Sequence, residues 1–241
     1  MSTARRWSWL IAAALCVIAI AAILIVIPTR RWHNGAPPIP DPLAPGLAAL
    51  SDQQLAELLP KRSEFPASWA VKDELRYDSF GYFRPQPFHD GIGPEPAECS
   101  NVGELAVGAS DAAVVSAYDP AGTPSFSYEP HDIRVTLARE FNRSGFDAMI
   151  KLVSRCERFD SGRVVFYAVR ILEDSRPANG PQRFRIVKTR STASGDARVA
   201  RTEYFSYART SRLVLRGYAR TGNQQLLDAL FDNTLRRLSA P

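Results

Sequence analysis

Three histidines, three cysteines and a large excess of arginine hold most of the chemistry open to this 241-residue chain. His89-Asp90 and His131-Asp132 are His-Asp pairs, the residue types that ligate a metal or, with a serine, activate a nucleophile. Their spacing argues against both roles. Zinc sites draw three or four ligands at recognisable intervals, and the chain has neither HxxxH nor HExxH. Both pairs sit near prolines in loop-like sequence, and His33 lies in a Pro-rich stretch, so solvated side chains are expected. There is no Gly-x-Ser-x-Gly elbow and no Gly-rich phosphate loop with a lysine. Glu173-Asp174 falls near a strand end, where exposure is the simpler reading. A carboxylate pair of the glycosidase kind stays open among the acids from Asp73 to Asp119. The expectation is no catalytic residue, no metal and no cofactor, with an exported hydrolase of unrecognised site as the alternative.

Arginine carries the stronger signal. Residues 41–130 hold 5 basic and 14 acidic side chains, whereas residues 131–220 hold 19 basic and 9 acidic ones, a split hidden by the net charge of +5. Arg183 and Arg185 alternate along one run, and Arg212, Arg216 and Arg220 along another. Alternation puts each series on one face of a strand. If the runs are neighbours, they form a cationic surface suited to phosphate or carboxylate. The competing reading is that the two halves neutralise one another. Arg84 sits among Phe80, Tyr82, Phe83 and Phe88 in a Gly/Pro-rich loop, and these are hot-spot residue types for a partner. The same aromatics would serve equally as a lid over the core. An anionic envelope ligand or envelope protein is the expected partner, and nucleic acid is not.

Elements must position these groups. Ser51-Asp52-Gln53-Gln54 is a capping box opening a short helix that Pro60 stops. Ser144 predicts the start of a helix over Gly145–Phe159, with Phe146, Met149, Ile150, Val153 and Cys156 on one stripe. Asn223 to Leu238 predicts an amphipathic final helix. Strand-like runs cover Ser68–Tyr77, Ala112–Tyr118, Ile133–Asn142, Arg163–Leu172, Gln182–Arg190, Arg198–Ala208 and Arg212–Arg220, and Thr210-Ser211 suggests a hairpin. Val135, Leu137 and Phe141 would share one face of their run. The expected class is α+β: a two-layer domain with an antiparallel sheet packed against helices on one face.

Leu10 to Ile27 is an unbroken apolar run of eighteen residues without a charge. At about 1.5 Å per residue it reaches roughly 27 Å, enough to cross a hydrocarbon core. It is longer than a signal-peptide core and ends in Ile27-Pro28-Thr29-Arg30-Arg31, a poor cleavage site. The expected layout is a short cytoplasmic tail (1–9), a single-pass transmembrane anchor (10–27), a Pro-rich linker (28–46) and an extracytoplasmic domain (47–241). Arg5 and Arg6 before the run nearly balance Arg30 and Arg31 after it, so charge bias gives orientation little help. Cys99 and Cys156 are the two cysteines outside the anchor, and one disulfide in an oxidising compartment suits them. Two buried thiols in a cytoplasmic domain are the alternative. The 26 Arg against 4 Lys suggest a GC-rich genome.

Pro-Ala-Glu-Cys99, the helix ending in Val-Ser-Arg-Cys156-Glu-Arg-Phe159, Phe65-Pro66-Ala67-Ser68-Trp69 and the C-terminal helix together resemble a group of mycobacterial envelope proteins. These include the extracellular sensor domain of PknH-type receptor kinases and related lipoprotein-like domains. The resemblance spans most of residues 47–238, without a kinase domain, and with two soluble cysteines where two disulfides are expected of the sensor domain. It implies an actinobacterial plasma-membrane protein with a binding or sensing domain outside the cell, and it brings no catalytic residues. A structural accessory subunit of a membrane complex is a further alternative.

Overall fold

Two units make up the chain, Met1–Ile39 and Pro40–Pro241. A computed structural model describes residues 46–75, 94–103, 109–121, 132–141, 144–162, 165–177, 180–194, 197–210 and 212–239, all in the second unit. The expected membrane span at Leu10–Ile27 and the linker up to Pro45 therefore lie outside the described residues. So do Arg84 with its aromatic neighbours, and all three histidines. Among the described residues no helix is long and apolar enough to cross a membrane.

Among the described residues nine strands form one antiparallel sheet. They are β1 (Ala70–Leu75), β2 (Pro94–Glu95), β3 (Ala109–Tyr118), β4 (Ile133–Glu140) and β5 (Arg158–Ser161), then β6 (Val165–Ser175), β7 (Gln182–Ser194), β8 (Ala197–Arg209) and β9 (Leu213–Arg220). Their order is β1-β3-β4-β9-β8-β7-β6-β5-β2. Among the described residues three α-helices accompany them: α1 (Asp52–Ala56), α2 (Ser144–Arg155) and α3 (Gln224–Ser239). The Ser51–Gln54 capping box starts α1, with the Gln54 amide donating to Ser51 Oγ at 3.2 Å and the Ser51 amide to Gln54 Oε1 at 2.8 Å.

Register defines two faces. Val115, Val135, Gly217, Ser206 and Arg185 form one cross-strand row; Val114, Thr136, Arg216, Tyr207 and Phe184 form the next, on the opposite face. On the first face, α3 packs Leu227, Leu230 and Phe231 over Leu213, Leu215 and Ala219, and Leu55 of α1 joins the same cluster. On the second, α2 packs Phe146, Met149, Ile150 and Val153 against Phe184, Ile186, Tyr207 and Val214.

The α+β, two-layer expectation is corrected by this arrangement. Among the described residues one large antiparallel sheet dominates, the helices are few, and they lie on both faces instead of one. The physical reason is in the central strands. Ala112-Ala113-Val114-Val115 and Leu213-Val214-Leu215 are apolar on consecutive residues, so both faces must be covered. Two smaller corrections follow. The helix expected to reach Phe159 ends at Arg155, and Arg158 and Phe159 belong to β5. Phe141 lies beyond β4 and is 63% exposed, unlike Val135 and Leu137.

Candidate functional site

Arg183 and Arg185 face α3 and are engaged within the molecule. Arg183 Nη2 donates to Asp232 Oδ1 at 2.6 Å, and its Nε lies 3.2 Å from Glu173 Oε1. Arg185, 16% exposed, reaches Glu173 Oε2 at 3.0 Å, Asp228 Oδ1 at 3.1 Å and Asp232 Oδ1 at 2.9 Å. Its guanidinium also sits 5.7 Å from the centre of the Phe231 ring. Asp228 and Asp232 are one helical turn apart, so α3 presents both to the same strand. Burial raises the Asp228 carboxyl above its ordinary value and Asp232 adds to that, while Arg185 and Arg183 pull it down. Two guanidiniums thus meet three carboxylates.

The second arginine series lies elsewhere. β8 separates β7 from β9, and the pairing Arg185–Ser206–Gly217 puts Arg216 on the opposite face from Arg185. Arg216 is buried, with Nη2 3.9 Å from Asp111 Oδ2. Arg212 is exposed just before β9. Of the four binding candidates among the described residues, Arg183 and Arg185 therefore do not share a surface with Arg216, and Arg84 lies outside the described residues.

Cys99 and Cys156 are joined, with Cα atoms 5.6 Å apart. The bond ties the 3-10 turn Ala97–Asn101 to the residue after α2, and both cysteines are buried in the second-face core. The tied segment is held down further by Tyr207, whose hydroxyl donates to Gly103 O at 2.9 Å, and by Lys188, whose Nζ donates to Val102 O at 3.3 Å.

A groove of about 630 Å³ opens on the α3 face, where β5–β8 run past the start of that helix. Arg158 pairs across strands with Ala168, and Arg170 stands two residues beyond Ala168 in β6. The two arginines are therefore diagonal neighbours on one face, within reach of a common ligand. Thr189, Thr202, Tyr204 and Gln224 add hydroxyl and amide groups, and Ala168, Leu172 and Val187 supply apolar surface. Among the described residues neither Arg158 nor Arg170 has a carboxylate at ion-pair distance, and Glu157, the one acid in the lining, is paired with neither. This is the opposite of the Arg183–Arg185 cluster. Sequence reasoning missed the site because it placed Arg158 inside a helix. The signal was there: the helical stripe stops at Cys156, and Arg158-Phe159-Asp160-Ser161 then alternates.

Among the described residues no group of three or more His, Cys, Asp or Glu could hold a metal ion. The chain matches no family model and no curated protein.

Proposed function

We propose that this is a single-pass, membrane-anchored protein whose domain faces outward from the plasma membrane and binds an anionic ligand or partner without catalysing a reaction. The observation that carries the reading is the buried Cys99–Cys156 bond between two segments distant in sequence. Structural disulfides persist in oxidising compartments, and a cytoplasmic domain would keep these thiols reduced. The apolar run Leu10–Ile27 supplies the anchor in this reading. Support for binding comes from the groove, which keeps two guanidiniums without carboxylate partners among the described residues while other arginines nearby are matched.

The test is thiol labelling of a Cys16→Ala variant in intact cells with a membrane-impermeant maleimide, with and without reductant. With the chain denatured once the reagent is quenched, Cys99 and Cys156 should take up no label until the denatured chain is treated with reductant. Two thiols that label without reductant, and only after lysis, would place the domain in the cytoplasm and end the proposal.

A further inference from the structure

We propose that the groove between β5–β8 and the start of α3 binds a phosphorylated sugar or polyol, with Arg158 and Arg170 gripping the phosphate; this rests on the anion-binding reading above. The phosphate follows from charge and geometry. A phosphate monoester carries about −1.5 to −2 charges near neutral pH and offers three acceptor oxygens. Two guanidiniums set as diagonal neighbours on one sheet face match that charge and can each donate two parallel hydrogen bonds. Glu157 leaves the lining with a positive balance.

The polyol follows from the rest of the lining. Seven of the eleven lining residues are polar: Thr189, Thr202 and Tyr204 bring hydroxyl groups, and Gln224, whose side chain also hydrogen-bonds Asp228, brings an amide. An acyl chain requires a continuous apolar wall, which four apolar residues do not make. A base-stacking platform requires several aromatic rings, and Tyr204 is the one aromatic residue in this lining. Hydroxyl and amide groups with short apolar patches suit the alternating O–H and C–H surface of a sugar. The volume falls within the range of roughly 300–1,000 Å³ common for small-molecule sites.

The experiment is calorimetric titration of the full-length chain in a polyoxyethylene detergent, which brings neither charge nor sugar. The probes are glucose 6-phosphate, glycerol 3-phosphate, inorganic phosphate and glucose, at low and moderate salt. Glucose 6-phosphate should bind at least about tenfold more tightly than inorganic phosphate, glucose should not saturate, and added salt should weaken binding. Arg158 and Arg170 are exposed, so Arg158→Gln and Arg170→Gln should keep the wild-type melting temperature and each lose about tenfold in affinity. Thr202→Ala should narrow the preference for the sugar phosphate. A glycerol-phosphate oligomer that binds more tightly than its monomer would assign the source to an envelope polymer, and equal affinity per phosphate would assign it to a free metabolite. Equal binding of inorganic phosphate and glucose 6-phosphate would overturn the polyol assignment and leave anion binding standing. Wild-type affinity in the double Arg→Gln variant would overturn the groove as the site. No binding of any phosphate by folded protein at low salt would overturn this inference and remove its chemistry from the functional proposal, while the labelling result would still decide the compartment.

Discussion

Tyr218 on β9 donates its hydroxyl to Glu203 Oε1 at 3.2 Å, and burial, helped by the Glu203 charge, pushes its pKa up to about 12. An unfolded tyrosine titrates near 10. The folded state holds the proton more tightly, so this contribution to stability is complete below pH 10 and is lost as pH rises from 10 through 12. Absorbance at 295 nm during an alkaline titration should find a tyrosine ionising near 12 that is missing in Tyr218→Phe. In Glu203→Gln it should move down yet stay above 10, because burial is the larger cause. Arg185 makes a second residue-scale test. Its removal leaves Glu173, Asp228 and Asp232 facing one another with Arg183 alone to balance them. Arg185→Ala should cost about 2 kcal/mol, read as a lower urea midpoint, with partial recovery at low pH as Asp228, whose carboxyl burial already raises, protonates. The alternation of Arg183 and Arg185 was legible in the sequence. Their partners were not, because Asp228 and Asp232 lie more than forty residues away on a helix whose docking register depends on the whole sheet.

Elements dock here through close approach as well as through charge. A Cβ on Gly217 would stand 2.8 Å from Leu227 Cδ1 and 3.0 Å from Phe231 Cδ2, so the missing side chain is what lets α3 lie on β9. Gly217→Val should cost about 2–3 kcal/mol by overpacking, and Gly217→Ala less, because the end of Leu227 can move. Hydrogen exchange should show protection falling first in α3. From sequence, α3 was readable almost to the residue, since Leu227, Leu230, Phe231 and Leu238 keep a helical period and Asn223 precedes them. The longer strands were readable too, but β2, β5 and the number of covered faces were not. Alternation predicts a half-buried sheet, and the consecutive apolar residues of β3 and β9 signal burial on both sides. The groove shows the same limit: Arg158 is read correctly only if α2 is stopped at Arg155, and the cue for that is the loss of period after Cys156.

Across the whole domain, acids of the first part are stitched to arginines of the basic second part and of α3. Asp52 meets Arg139 at 2.7 Å, Glu64 meets Arg237 at 3.0 Å and Glu98 meets Arg155 at 3.6 Å. Partly exposed pairs of this kind contribute at most about 1 kcal/mol each and set which segments meet more than how firmly. The disulfide is the stronger tie. It closes a loop of 57 residues that includes β3, β4 and α2, so its main effect is to restrict the unfolded chain, worth about 4 kcal/mol on loop-closure entropy. Both sulfurs are buried in the second-face core, and two thiols at those positions would still pack as small apolar groups. The folded state should therefore survive loss of the bond with its sheet intact. Cys99→Ala with Cys156→Ala should keep the far-ultraviolet spectrum and melt about 8–16 °C lower. Reductant should act slowly on native protein and quickly in urea, because the bond is reached only when α2 lifts from Phe184 and Tyr207. A double variant that melts within about 2 °C of wild type would mean that the unfolded chain already holds this loop closed, and that the α2 side is bound by packing alone.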